Sequence, residues 1–207
     1  RIYDVSDKAN PVLQRELTVD GNFYTSRLEK ETNRLYYMVN YSFYYGKEET
    51  YIPKVNDSAA EGEELISAHN IFYYDDIVSY NYLIVGYINL SDAENDAKQV
   101  AYLGLSGEIY VSQENIFVAT YDYGSILEKN VFGIRREGNS YEPKTRIVKI
   151  SLNNLEQVAV TRVKGTVKDR YSLDEYEGYL RVATTINAAV SYSAVYVMDA
   201  NLELTDK

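Results

Sequence analysis

Apolar positions along the chain fall into short, strand-sized runs separated by clusters of Asp, Asn, Ser and Gly. The run Ile116, Phe117, Val118 and Ala119 is apolar at every position, which predicts a central strand buried on both faces. Residues 148–152 alternate instead. Val148, Ile150 and Leu152 point one way with Lys149 and Ser151 between them, which predicts an outer strand with one wet face. Helical spacing is scarce: residues 58–68, with Ala59, Ala60, Glu61 and Glu63, hold the one hint of a helical turn.

A strand running into a polar turn recurs four times, as IYDVSDKANP at 2–11, GYINLSDAENDAK at 86–98, VKISLNNLEQ at 148–157 and VYVMDANLEL at 195–204. After the first three comes another β-rich run ending in glycine, at Gly21, Gly107 and Gly165. Each glycine opens two further strands, within 22–41, 108–121 and 171–185, so the repeating unit has four antiparallel strands. Gly21 and Gly107 lie 86 positions apart, Gly107 and Gly165 58 apart; setting aside poorly patterned insertions at about 42–80 and 124–144 leaves 47 and 37. These lengths bracket the roughly 40–50 residues of a propeller blade. The prediction is an all-β chain forming one domain over 1–207, a β-propeller arc of about three and a half four-stranded blades. Residues 2–7 and 12–19 read as the outer half of a blade whose inner half would precede Arg1, and 171–204 as inner strands of the last, so the arc is expected to be a fragment of a larger propeller.

Composition narrows the function more than the fold. With 207 residues, 45% of them hydrophobic and 25% charged, the chain is ordinary for a globular protein. It has no apolar run long enough for a membrane helix. Zero Cys excludes a disulfide framework, a thiolate metal site and a Cys nucleophile. Arg1 opens directly in a strand-like run without a basic-then-apolar leader, so any targeting signal is expected upstream of it. The net charge of −10 argues against nucleic acid and anionic membrane as partners, because a phosphate-binding surface must supply positive charge. Residues 1–100 carry 17 acidic against 9 basic side chains and 101–207 carry 14 against 12, so a cationic partner would meet the first half. The basic residues Arg162, Lys164, Lys168 and Arg170 read as alternation along a strand, with Arg135 and Arg136 in a separate insertion.

The segment YSLDEYEGYLRVATT at 171–185, preceded by Gly165, resembles the signature of secreted bacterial and archaeal proteins that carry a C-terminal β-propeller domain. IYDVSDKANP, YIPKVNDSA at 51–59 and IFYYDD at 71–76 resemble the same family, so the likeness covers nearly the whole chain. The resemblance implies an extracellular or cell-surface propeller with no established reaction and no catalytic residues to carry over.

Candidate chemistry is sparse. His69 is the single histidine, which leaves a Ser-His-Asp triad without spacing to define it and rules out a multi-histidine metal site. Asp92, Glu94 and Asp96 have the alternation of a calcium loop, but Ala97 and Leu103 stand where the required Gly and closing Glu belong, so a solvated hairpin loop is the commoner outcome and no cofactor is called for. Asp75 and Asp76 carry the same weak metal reading. Asp174, Glu175 and Glu177 could flank a glycosidic bond as paired carboxylates. The simpler reading is a hairpin turning at Glu177-Gly178, with Arg181 on the return strand paired to Asp174 in a two-residue loop, or to Glu175 in a longer one.

The 23 Tyr, against 5 Phe and no Trp, are the most informative functional feature. Tyr offers apolar area with a polar tip and suits partly wet surfaces. Tyr41, Tyr44, Tyr45, Tyr51, Tyr73, Tyr74, Tyr80 and Tyr82 gather around the 42–80 insertion, which is expected to stand outside the blade and present several rings. The reading is a noncatalytic extracellular or cell-surface recognition or scaffold module for a protein or cell-wall ligand. The alternatives are a polysaccharide-binding or polysaccharide-active propeller and a purely structural spacer.

Overall fold

The computed structural model describes residues 1–44, 46–60, 62–74, 80–92, 95, 97–122, 143–187 and 190–205. The chain divides into two compact units, Arg1–Gly104 and Leu105–Lys207. The first contains β1 (Ile2–Asp4), β2 (Val12–Arg15), β3 (Leu17–Val19), β4 (Asn22–Glu29), β5 (Arg34–Ser42), β6 (Lys54–Asp57), β7 (Glu63–Leu65), β8 (Ile71–Tyr73), β9 (Asn81–Asn89) and β10 (Lys98–Leu103). The second contains β11 (Glu108–Val111), β12 (Asn115–Asp122), β13 (Lys144–Ser151), β14 (Gln157–Lys164), β15 (Leu173–Tyr176), β16 (Tyr179–Ile186) and β17 (Tyr192–Met198). Among the described residues there is no α-helix, and the expected helical hint at 58–68 resolves into the strand β7 and the start of a 3-10 turn at Ala68–Asn70.

Strand grouping follows the glycines, in the phase implied by reading 2–19 as the outer half of a blade. The two strands after each Gly pair with the next strand-turn-strand, giving the antiparallel series β4-β5-β9-β10 after Gly21, β11-β12-β13-β14 after Gly107, and β15-β16-β17 after Gly165. The glycines are required by a close approach. Gly107 has φ of 143°, and a Cβ there would lie 2.2 Å from the Ala119 carbonyl oxygen; Gly21 meets the Asn40 oxygen and Gly165 the Thr185 oxygen in the same way. The turn after each recurrent strand is also closed identically. The side chains of Asp4, Asn89, Ser151 and Asp199 each accept a hydrogen bond from the backbone N–H two residues on, at 2.8, 3.0, 3.2 and 2.9 Å.

In the second unit, Phe117, Ala119, Ile147 and Val163 of the four-stranded sheet pack on Leu173, Leu180, Val182 and Met198 of the three-stranded one. Ile116, Phe117, Val118 and Ala119 are all buried. The outer-strand reading of 148–152 fails. β13 is the third of four strands, and residues 145–150 are buried throughout, Lys149 included, because the strand is covered on both faces.

In the first unit, β6 and β7 extend β3 into a small antiparallel sheet. Val55 of β6 and Ile66, which follows β7, are buried in one cluster with Tyr37, Ile84 and Ala101 of the larger sheet, and half-buried Leu17 and Val19 pack against it. The segment 42–80 therefore does not simply stand outside: it supplies core. It also supplies β8, which joins β10 in parallel as a fifth strand. The 124–144 insertion lies, up to residue 142, outside the described residues.

Candidate functional site

Across the larger sheet of the first unit, strand register places Tyr73, Leu103, Tyr82 and Tyr41 in one row, carried by β8, β10, β9 and β5. Residues directly opposite in a sheet share a face. Just past the end of β5, Phe43 gathers the neighbouring rings, with Tyr51 edge-on at 5.4 Å between centroids, Tyr82 at 5.9 Å and Tyr80 edge-on at 6.0 Å. Offset and edge-to-face contacts are the preferred arrangements for aromatic pairs. Hydrogen bonds fix the loop that follows. The Tyr41 hydroxyl donates to the Thr50 carbonyl at 2.7 Å, the Gly46 N–H donates to the Tyr51 hydroxyl at 3.0 Å, and the Tyr44 N–H donates to the Thr50 hydroxyl at 3.2 Å. Burial raises the Tyr41 and Tyr82 hydroxyl pKa above the ordinary phenol value, so both stay neutral.

The eight candidate tyrosines consequently divide. Tyr44, Tyr73 and Tyr80 are exposed at 67%, 69% and 68%; Tyr41, Tyr51 and Tyr74 are half-buried; Tyr82 is core. Tyr45 lies outside the described residues. Sequence reasoning missed Phe43, whose only signal was its place in the aromatic run that ends β5. Exposed Tyr80 thus stands against a floor of packed rings, and exposed Tyr44 belongs to the internally bonded loop that follows Phe43.

A buried ion pair that sequence reasoning also missed lies toward the other end of the sheet, by the start of β10. Arg15 at the end of β2 and Asp57 at the end of β6 are 1% and 4% exposed and meet through two hydrogen bonds, with Arg15 Nε at 2.8 Å from Asp57 Oδ1. The Ala97 N–H at 3.0 Å and the Ala59 N–H at 3.2 Å also donate to this carboxylate. Burial alone would lift the Asp57 pKa; the hydrogen bonds from Arg15, Ala97 and Ala59 outweigh it and hold the group below the usual carboxylate range. This pair fastens the 42–80 segment to β2 and to the turn before β10.

The carboxylates of β15 separate, because neighbouring residues in a strand point to opposite faces. Glu177 and Gly178 both have positive φ, 51° and 78°, and form a two-residue hairpin turn. Asp174 faces outward opposite Arg181, at 2.8 Å, with the Arg181 guanidinium over the Tyr176 ring. Glu175 faces inward, where it accepts hydrogen bonds from Asn115 Nδ2 at 2.9 Å and from the Ser112 hydroxyl and lies 3.7 Å from Lys149 Nζ. The Lys149 ammonium also donates to the Ala200 carbonyl at 3.0 Å. Asp174 and Glu175 therefore do not converge on one point, as flanking a glycosidic bond would require.

The remaining candidates bring less together. Asp92 accepts hydrogen bonds from the Asn95 backbone at 3.3 Å and from its side-chain amide, as in a self-closed turn. Glu94, Asp96, Asp75 and Asp76 lie outside the described residues, and among the described residues no three His, Asp or Glu side chains are placed to hold a metal ion. His69 sits exposed in a 3-10 turn capped by Ser67. No helix among the described residues is long and apolar enough to cross a membrane.

Blades of antiparallel strands, each entered through a positive-φ glycine and closed by the same side-chain-capped turn, define a blade-repeat protein. The chain belongs to the Beta propeller domain family, whose model matches residues 1–207. An uncharacterized protein of Archaeoglobus fulgidus is 47% identical over 64 residues, which is 31% of this chain and 10% of that protein. An uncharacterized protein of Methanocaldococcus jannaschii is 37% identical over 67 residues, 30% of this chain and 11% of its own. The matched stretches thus span about a tenth of those relatives. An acylaminoacyl peptidase solved with Z-Gly-Gly-Phe-chloromethyl ketone aligns over 90% of this chain and 32% of its own at 12% identity, with a TM-score of 0.42.

Proposed function

We propose that the chain is a noncatalytic recognition or scaffold module, displayed outside the cell or on its surface, that offers tyrosine rings to a protein or cell-wall ligand. The observation that carries this reading is the contrast along one aromatic segment: Tyr44 and Tyr80 remain two-thirds exposed while Tyr51 and Tyr82 pack on Phe43. Rigid aromatic side chains give large contact area at low entropic cost, as binding surfaces require. The engagement of Asp174 by Arg181 and of Glu175 by Ser112, Asn115 and Lys149 supports the noncatalytic part. The test is capture of cell-wall and surface-protein fractions by the immobilised chain, alongside a panel of glycosidic substrates. Capture without turnover is expected. Turnover would replace this reading with a polysaccharide-active one, and neither capture nor turnover would leave a structural spacer.

A further inference from the structure

The tyrosine rim also carries information about the charge of what it meets. Residues 48–76 hold Glu48, Glu49, Asp57, Glu61, Glu63, Glu64, Asp75 and Asp76 against one cation, Lys54. Two of these acids are already neutralised within the fold, Asp57 by Arg15 and Glu63 by Lys54 at 2.7 Å. Glu48 and Glu49 are exposed on the loop whose backbone is bonded down by Tyr41, Tyr51 and Thr50. On that same loop the Lys47 ammonium lies 5.7 Å from the centre of the Tyr44 ring, within cation–π reach. The loop thus seats a cation of its own on the exposed Tyr44 ring, beside two carboxylates.

We infer that the loop surface formed by Tyr44, Glu48 and Glu49 docks a basic peptide segment. A Lys or Arg side chain of the partner takes the place of Lys47 over the Tyr44 ring, and its neighbours in sequence meet the two glutamates. This rests on the recognition reading above and specifies its ligand by charge. Charge complementarity selects the occupant: an anionic polymer is repelled by the acid excess, and a neutral glycan gains nothing from Glu48, Glu49 or a cation-loaded ring. Lys47 acts as an internal competitor, so its removal should strengthen binding, which a merely structural lysine would not do.

The test uses the whole chain with three labelled probes: a Lys/Arg-alternating peptide, its Ser/Gly counterpart and a neutral oligosaccharide. Binding of the basic peptide is expected to fall several-fold from about 0.05 M to about 0.5 M salt. Tyr44→Ala should weaken it and Lys47→Ala strengthen it, each by about two- to five-fold, the scale of one exposed cation–π contact. Tyr44→Phe should stay within about two-fold, since the ring face is kept. Circular dichroism melts of each variant check that folding is unchanged. Basic-peptide binding that ignores Tyr44→Ala and Lys47→Ala, or its absence beside Tyr44-dependent oligosaccharide binding, overturns the inference; in the second case the recognition reading survives. Failure of all three probes overturns the inference alone, and a spacer outcome in the capture experiment removes the recognition reading as well.

Discussion

Replacing Asp57 by Asn removes the negative partner of a guanidinium that has 1% of its surface exposed. Arg15 cannot deprotonate to escape, so the variant buries a guanidinium that has lost its Asp57 carboxylate. Breaking a buried pair from one side costs about 3–5 kcal/mol, a large part of the roughly 5–15 kcal/mol that holds a domain folded. The Asn side chain can still accept from Ala97 or Ala59, which keeps the expected loss nearer the lower figure. Urea unfolding followed by tyrosine fluorescence and far-ultraviolet circular dichroism measures it. The double replacement Arg15→Met with Asp57→Leu removes both charges and should recover most of the loss, because apolar residues of similar volume are often neutral or better at such sites. The pH dependence has a definite sign. With the folded Asp57 pKa depressed, the pair contributes fully above the unfolded value of about 4 and is lost as pH falls through the lower folded value. An Asp57→Asn variant within about 1 kcal/mol of the parent, with unchanged acid sensitivity, would refute the claim that this pair fastens the 42–80 segment.

Three further outcomes follow from particular contacts. Gly107→Ala should lose at least about 1–3 kcal/mol by thermal melting, since a Cβ would sit 2.2 Å from a carbonyl oxygen at a φ of 143°. Asp174→Ala, at an exposed ion pair, should change stability by less than about 1 kcal/mol, whereas Glu175→Ala, which strands Lys149 in the interior, should cost about 3 kcal/mol or more in the same urea assay. Tyr51→Ala should lower the melting temperature through the lost Phe43 contact and the orphaned Gly46 N–H, while Tyr44→Ala should leave it within error.

Local signals in the sequence carried much of this fold. Glycines 21, 107 and 165 mark blade entry because their backbones demand it, and Glu177-Gly178 marks a hairpin because both residues adopt positive φ. Pairing partners were less legible. Which hairpin each pair of strands joins depends on contacts such as Tyr37 with Gly86, far apart in sequence, and the added parallel strand β8 carried no signal of its own. Lys149 looked solvent-facing because alternation reports chemistry and not coverage; the Glu175 carboxylate, brought in from β15, and the Ala200 carbonyl together explain a buried lysine there. Arg15 and Asp57 are separated by 42 positions, and neither carries a local mark of its partner. Eight tyrosines around one segment showed where a surface is concentrated, while their division into floor and rim needed the position of Phe43.

The most direct test of the recognition reading compares folding and ligand capture in a Tyr44→Ala variant, since that ring is exposed and the rings packed on Phe43 are left in place. The prediction is an unchanged melting temperature with capture reduced at least several-fold. A melting temperature that collapses, or capture that persists undiminished, would contradict it.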